Sequence, residues 1–257
     1  MSLSLGSGPL GRSPAGAFNF DLDDAAPAHR IYFADFLPRV RAVIEGRTVL
    51  DTTRGKLLYE SAIHPRLYAP LEDFDADVLA RTDHSTHCPF KGDASYWSVS
   101  VNGTSHENAV WAYESPIVEA SWLDGYASLY PDKADEWWVE DESVRVLRDP
   151  FHRIDVLASS RRVTVTLGDD VIADTDRAVL LFETGLPPVA YVPRADVRAA
   201  IEPAERETYC PYKGEARYWT VADVEEAAWS YEYPRPECTG IAGLLAFDAT
   251  KASLTIG

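Results

Sequence analysis

The sequence predicts an all-β protein with minor helical content, made of two similar antiparallel domains of the sandwich or open-barrel type. Two observations support this prediction. A series of motifs occurs twice along the 257 residues at a nearly constant offset, which indicates a tandem duplication. Within each copy, short apolar segments are separated by frequent Pro and Gly, and no alternation of strands with long helices is visible.

The most specific repeated motif is Thr-His-Cys-Pro-Phe-Lys-Gly-Asp-Ala-Ser-Tyr-Trp at 86–97, which returns as Thr-Tyr-Cys-Pro-Tyr-Lys-Gly-Glu-Ala-Arg-Tyr-Trp at 208–219. Other motifs agree with this register, among them Pro-x-His-Arg-Ile near the start of each copy and Trp-x-Tyr-Glu after the cysteine motif. We therefore expect a flexible N-terminal arm at 1–26, a first repeat domain at 27–138, an acidic linker at 139–149 and a second repeat domain at 150–257.

The N-terminal arm is rich in Gly, Ser, Pro and Ala, with Phe18, Phe20 and Leu22 as candidate docking residues. It lacks the basic start and the apolar stretch of a secretory signal. Three cysteines, an odd number, do not form a disulfide framework. We therefore expect a soluble protein of the cytoplasm, where thiols stay reduced.

The formal net charge of −17 limits the classes of partner. Binding to a nucleic-acid backbone needs clustered Lys and Arg, and an anionic membrane surface repels an acidic protein. We therefore expect no nucleic acid and no membrane partner, and no apolar run is long enough to span a bilayer. The remaining expected partners are a small-molecule ligand and, in a homodimer, a second copy of the chain.

Several segments have the pattern of strands. Residues 163–173 predict a hairpin with the polar turn Gly-Asp-Asp, and residues 40–50 are its first-copy counterpart with Glu-Gly at the turn. The apolar segments 57–60 and 179–183 predict short buried strands.

The segment after Gly92 alternates in polarity, which places Tyr96 on one face of a strand and Trp97 on the other. One short helix per copy is expected after Asp73 and after Asp196, where the carboxylate can cap the first amides.

The Cys-Pro-aromatic-Lys-Gly sequence is the strongest chemical signal. Pro89 favours the second position of a β-turn, which makes Cys88 its first residue and Lys91 its fourth, with Cα atoms within about 7 Å. A cation that close favours the thiolate form of a cysteine. The sequence therefore predicts a Cys–Lys pair at the turn, repeated as Cys210 and Lys213.

Two interpretations of this turn are open. In the first, Cys88 is a nucleophile, Lys91 stabilises the thiolate or an oxyanion, and Glu60 or His87 moves protons. In the second, the cysteine is a small buried apolar residue and the lysine hydrogen-bonds around the turn.

Glu60 and Glu183 end the two apolar strands, and each is either a general base or a member of a buried ion pair. The candidate ion-pair partners are Lys91 and Arg54 in the first copy, and Lys213 and Arg177 in the second.

The remaining candidate ligand-binding residues carry mostly aromatic side chains that can line a cleft for a planar or sugar-like ligand, although alternation predicts that a subset belongs to the core. They are His64, Tyr68, Tyr96, Trp111 and Tyr113 in the first copy, and Glu183, Tyr191, Cys210, Lys213, Tyr218, Trp229 and Tyr231 in the second.

The histidines distinguish the copies. His29 and His152 correspond and are expected to be structural, whereas His64 and His87 have no counterpart, so acid–base chemistry would favour the first copy. A zinc site from His84, His87 and Cys88 lacks a fourth ligand and a standard spacing. We therefore expect no metal and no cofactor. Cys238 faces Ala120 in the alignment of the copies and is expected to be structural.

Together the repeated motifs resemble a known family. Cys-Pro-aromatic-Lys-Gly-acidic-Ala-x-Tyr-Trp, preceded by Tyr68-x-Pro70-x-x-Asp73 and followed by Trp111-x-Tyr113, resembles the domain of unknown function 427 family. The Arg-Asp-Pro-Phe-His-Arg-Ile stretch that opens the second copy is similar to its two-domain actinobacterial members. The resemblance implies a small antiparallel β fold like the β-tent group and no established activity. Many β-tent proteins bind zinc through Cys-x-x-Cys pairs, which this sequence lacks.

These observations lead to three hypotheses. The first is an enzyme that acts on a carbonyl or acyl compound through Cys88 and Lys91. The second is a non-catalytic module that binds a small ligand through its lysines and aromatic residues. The third is a structural or interaction domain in which the motif stabilises a turn.

Overall fold

A computed structural model describes residues 27–257 together with 3–5, 8–11, 16, 17 and 19. The expected docking residues Phe18, Phe20 and Leu22 lie outside the described residues. Beyond the first 15 residues the chain divides into two compact units, which we call the first unit (Gly16–Leu147) and the second unit (Arg148–Gly257). Each unit is built almost entirely from antiparallel strands, and neither forms a closed barrel, so the predicted all-β fold class is confirmed.

The first unit contains eleven strands in its described part. They are β1 Ile31–Asp35, β2 Val40–Ile44, β3 Arg47–Thr52, β4 Lys56–Glu60, β5 Ile63–Pro70, β6 Leu79–Cys88, β7 Gly92–Val101, β8 Thr104–Ala112, β9 Tyr126–Leu129, β10 Glu136–Val139 and β11 Glu142–Val144. They form a seven-stranded sheet in the order β1-β4-β5-β9-β8-β7-β6 and a four-stranded sheet in the order β11-β10-β2-β3.

The second unit repeats this arrangement with shorter pairings. Its strands are β12 Ile154–Ala158, β13 Val163–Leu167, β14 Asp170–Thr175, β15 Val179–Glu183, β16 Val189–Tyr191, β17 Ile201–Cys210, β18 Gly214–Val221, β19 Val224–Ser230, β20 Ala246–Phe247 and β21 Ser253–Ile256. They form three sheets, β12-β15-β16, β17-β18-β19-β20 and β14-β13-β21.

The predicted strands agree with this topology. The hairpins expected at 40–50 and 163–173 are the pairs β2–β3 and β13–β14. The buried strands expected at 57–60 and 179–183 are β4 and β15. Polar turns between apolar segments and short continuous apolar segments were therefore sufficient to locate them.

The stretch expected to be an acidic linker, 139–149, belongs largely to the first unit. Within this stretch, Val139 ends β10 and Glu142–Val144 form β11, which pairs with β10, and the two units divide between Leu147 and Arg148. Its acidic residues suggested a linker, and they did not indicate that its first part extends the sheet β11-β10-β2-β3.

The helical segments are short 3₁₀ helices. In the described residues they are Leu71–Asp73, Ala76–Val78, Val118–Leu123, Pro131–Lys133, Arg194–Asp196 and Pro236–Ile241.

The prediction that Asp73 and Asp196 cap following helices is wrong. Each ends a helix, and its carboxylate accepts a hydrogen bond of 2.6 Å from Thr52 or Thr175. Asp75 is the residue that caps the following turn, by accepting from the amide of Asp77 at 3.1 Å.

The two faces of β7 have different surroundings. Ala94 and Tyr96 pack in a core cluster with Tyr68 and Trp111, whereas Trp97 lies on the opposite face, as the alternation predicted. No helix in the described part of the chain is long and apolar enough to cross a membrane.

Candidate functional site

The Cys-Pro-aromatic-Lys-Gly motif forms the turn between β6 and β7. The amide of Lys91 donates to the carbonyl oxygen of Cys88 at 3.2 Å, as expected for the ends of a β-turn. Gly92 follows with φ +104°, and a Cβ atom there would lie 3.4 Å from backbone atoms of Ser115 and Ile117. The backbone angle therefore favours glycine, whereas a Cβ atom would be in ordinary van der Waals contact with these neighbours. Gly214 has the same φ of +104° in the second unit.

The side chain of Lys91 is buried in an ion pair with Glu60. The two side chains are 8% and 10% exposed, and Lys91 Nζ donates to Glu60 Oε1. The other carboxylate oxygen, Oε2, lies 3.1 Å from His29 Nε2. Both oxygens of the carboxylate are thus used by cationic or potentially cationic partners, which is the arrangement a buried charge requires.

The second unit repeats this arrangement. Lys213 Nζ donates to Glu183 Oε2 at 2.6 Å, and His152 Nε2 lies 2.8 Å from Glu183 Oε1. Burial opposes the charged form of Glu183, but the hydrogen bonds from His152 and Lys213 outweigh it and lower its pKa to about 2. We call each Lys–Glu–His set a clasp.

The clasps join parts of the sheets that are distant in strand order. Glu60 ends β4, near one end of the seven-stranded sheet, and Lys91 lies in the turn of β6 and β7 at the other end. In the second unit, Glu183 ends β15 of one sheet and Lys213 follows β17 of another. Each clasp therefore holds an open, curled sheet structure together around its core.

The histidines of the clasps are covered by the aromatic residue of the motif. The His29 ring stacks on Phe90 with centroids 4.1 Å apart, and the His152 ring lies 4.0 Å from that of Tyr212. The corresponding positions of the histidines suggested a structural role. Their contact with the motif itself was not apparent from the sequence, because more than 50 residues separate each pair.

The arginines named as alternative partners of the glutamates lie elsewhere. Arg54 pairs with Glu72 and with Asp73, and Arg177 pairs with Asp196. The lysine of each copy is the partner of the glutamate instead.

Most of the predicted ligand-binding aromatic residues of the first unit are in the core. Tyr68, Tyr96, Trp111 and Tyr113 are each at most 8% exposed and pack together, with Cys88 against them. Trp111 Nε1 donates to the Tyr68 hydroxyl at 3.1 Å. Burial raises the pKa of Tyr68 and of Tyr113 well above the usual value of a phenol.

The second unit has the same pattern. Tyr191 and Tyr231 are buried, and burial raises the pKa of both hydroxyls. Cys210, Tyr218 and Trp229 are half-buried and pack against the same core cluster. Cys238, expected to be structural, is fully buried, and burial raises the pKa of its thiol.

The histidines that are present only in the first copy do not join the clasp. His87 is exposed and lies 2.7 Å from Asp93 through Nδ1. His64 is exposed on β5, and His84 packs on the Tyr96 ring at 4.5 Å. No group of three or more His, Cys, Asp or Glu with metal-binding geometry occurs among the described residues.

The first unit has a cleft of about 910 Å³ on the other face of β7. Its lining combines apolar and charged side chains: Arg54, Pro70, Leu71, Glu72, Ala76, Leu79, Arg81, Trp97, Asp124, Gly125 and Tyr126. We call it the Trp97 cleft. None of the residues predicted to bind a ligand lines it.

The corresponding place in the second unit is filled by Arg194. Its Cζ lies 4.0 Å from the centre of the Trp219 ring, the equivalent of Trp97. Its Nε donates to Gly243 O at 2.9 Å, and its Nη2 donates to Glu232 Oε1 at 2.6 Å and to Ser230 Oγ at 3.2 Å.

An exchange of two residues explains the difference between the units. Position 71 of the first unit, which aligns with Arg194, is leucine. The guanidinium comes instead from Arg81, which aligns with Pro203. Arg81 pairs with Glu114 at 2.6 Å, and its Cζ atom lies 5.7 Å from the centre of the Trp97 ring. The arginine therefore reaches the tryptophan from β6. Trp97, which is 8% exposed, borders the cleft, and Leu71 lines it at the position that Arg194 has in the second unit.

The motifs that the two copies share do not predict the Trp97 cleft. The relevant signal was a difference between the copies. Leu71 and Arg81 stand where the second copy has Arg194 and Pro203.

Comparison with known proteins agrees with the duplicated fold. No curated protein matches the chain. The model of the family described as a domain of unknown function (DUF427) matches twice, at residues 34–140 and 155–256, one match in each unit and most of the chain in total. The chain therefore belongs to the DUF427 family, as a tandem member with two copies of the domain.

Proposed function

We propose that the protein is a non-catalytic small-molecule-binding protein whose ligand occupies the Trp97 cleft. The observation that carries the proposal is the open cleft itself, at a place that the second unit fills with its own Arg194. Its volume is in the range of small-molecule sites, and aromatic rings with a few charged groups are the usual lining of such sites.

The Cys-Pro-aromatic-Lys-Gly turn has a structural role in this proposal. Lys91 is committed to Glu60, and both oxygens of Glu60 are engaged, so neither group is free to act on a substrate without breaking the clasp. His87 is exposed and paired with Asp93. These contacts favour a clasp over catalysis by Cys88.

The cytoplasm is the proposed compartment. All three cysteines, Cys88, Cys210 and Cys238, are free thiols, which agrees with a reducing environment.

Ligand-observed NMR tests the proposal with a defined set of probes: benzoate, phenol, indole, imidazole, glucose, n-butylguanidinium and n-butylurea. The comparison protein is Leu71→Arg, which places in the first unit the side chain that fills the second. At least one probe is expected to bind the wild type and to lose binding in this variant.

Leu37→Arg is the matched control. Leu37 belongs to the same unit and is 83% exposed, so it adds an arginine without filling the cleft. The proposal is wrong if no probe binds the wild type, or if the probes that bind are unaffected by Leu71→Arg.

A further inference from the structure

The second unit shows which chemical group this surface accommodates. The guanidinium of Arg194 stacks on Trp219 and donates hydrogen bonds to a carboxylate and a backbone carbonyl. An arginine over a tryptophan face gains cation–π attraction in addition to these hydrogen bonds. The side chain is only 34% exposed, so it is inserted into the surface and does not merely lie on it.

Three of the four groups that hold Arg194 have counterparts in the first unit, and the fourth, Ser230, aligns with Ala112. Trp97, Glu114 and Gly125 align with Trp219, Glu232 and Gly243. The carbonyl oxygen of Gly125 accepts from the amide of Leu71 at 2.9 Å, and a carbonyl oxygen has a second lone pair for another donor. The Cζ atom of Arg81 lies 5.7 Å from the centre of the Trp97 ring, whereas the Cζ atom of Arg194 lies 4.0 Å from the centre of the Trp219 ring.

The charges of the cleft favour a cation. The two arginines that line it are already neutralised, Arg54 by Glu72 and Asp73 and Arg81 by two contacts with Glu114. Asp124, by contrast, is exposed at the cleft and forms no ion pair with a described residue. The charge that a ligand would neutralise is therefore negative, in a chain whose net charge is −17.

We propose that the Trp97 cleft binds a small organic cation, a guanidinium group on a short alkyl chain, in the place that Arg194 takes in the second unit. This inference rests on the proposed function and specifies its ligand class. The guanidinium lies against Trp97 and donates to the Gly125 carbonyl, and Asp124 attracts its charge.

Isothermal titration with n-butylguanidinium and n-butylurea tests this directly, because the two probes have the same shape and differ in charge. The guanidinium is expected to bind about tenfold more tightly, the ratio expected from cation–π and ionic attraction together. Asp124→Asn, an exposed change that leaves the core intact, is expected to reduce that ratio and to leave the affinity for the urea unchanged. Leu71→Arg is expected to abolish binding of both.

The outcomes separate the two proposals. Equal affinities for the two probes, or a ratio insensitive to Asp124→Asn, would overturn the cation inference and leave the cleft as a binding site. Binding of benzoate or glucose but of neither butyl compound would have the same meaning. Absence of binding by every probe would overturn both proposals.

Discussion

Lys91→Met removes the ammonium of the first clasp and replaces the apolar part of the side chain with one of the same number of atoms. Glu60, only 10% exposed, then retains His29 as its one partner within the clasp. Removing one member of a buried pair costs about 3–5 kcal/mol, a large part of the about 5–15 kcal/mol that stabilises a typical domain. Hydrogen exchange by mass spectrometry at increasing urea measures this loss peptide by peptide, so that the first unit is observed separately.

Two comparisons isolate the cause. Lys56→Met breaks the Lys56–Asp35 pair of the same sheet, in which Asp35 is 66% exposed, and is expected to cost less than about 1 kcal/mol. Adding Glu60→Gln to Lys91→Met removes the unpaired charge, so the double variant is expected to lose less than the sum of the single losses. A loss below about 1 kcal/mol for Lys91→Met, or additive losses, would refute the clasp.

Three further predictions concern the clasps and the cysteines. The pKa of Glu183 is lowered to about 2 from an ordinary 4.5, so its ionised form stabilises the second unit fully above pH 4.5 and progressively less as the pH falls towards 2. Glu183→Gln is expected to remove the pH dependence of the urea midpoint between pH 4.5 and 2. An unchanged pH dependence in this variant would contradict the assignment. Iodoacetamide is expected to modify the half-buried Cys88 before the fully buried Cys238, as followed by peptide mass spectrometry. Modification of Cys238 before Cys88 would contradict the burial of Cys238 in the core. Gly92→Ala, at φ +104°, is expected to cost about 1–3 kcal/mol in urea unfolding and more than Gly46→Ala at φ +76°, which is nearer the left-handed helical region. Equal losses would argue against backbone strain at the turn.

Local patterns predicted the fold because each strand has an apolar or an alternating pattern within a few residues. The alternation after Gly92 correctly placed Tyr96 and Trp97 on opposite faces of β7, but it did not show that Tyr96, a candidate ligand-binding residue, lies in the core. The acidic composition of 139–149 did not reveal β11, Glu142–Val144, since β11 extends a sheet in which β10 pairs with β2, almost 100 residues earlier. A local signal cannot report such a pairing.

The candidate site was less predictable. The Glu60–Lys91 pair was one of two alternatives because its members are 31 residues apart, and only the curl of the sheet decides between Lys91 and Arg54. The Trp97 cleft depends on which strand supplies an arginine. The sequence shows that Leu71 and Arg81 stand where the second copy has Arg194 and Pro203. The positions of the side chains are needed to see that this difference affects the cleft.

The most direct test of the open cleft is an NMR titration with n-butylguanidinium that follows the indole N–H signals of the seven tryptophans. The Trp97 signal is expected to shift and saturate, while that of Trp219 stays unchanged because Arg194 already covers its ring. An unchanged Trp97 signal, or equal shifts of Trp97 and Trp219, would contradict a cleft that is open in the first unit and filled in the second.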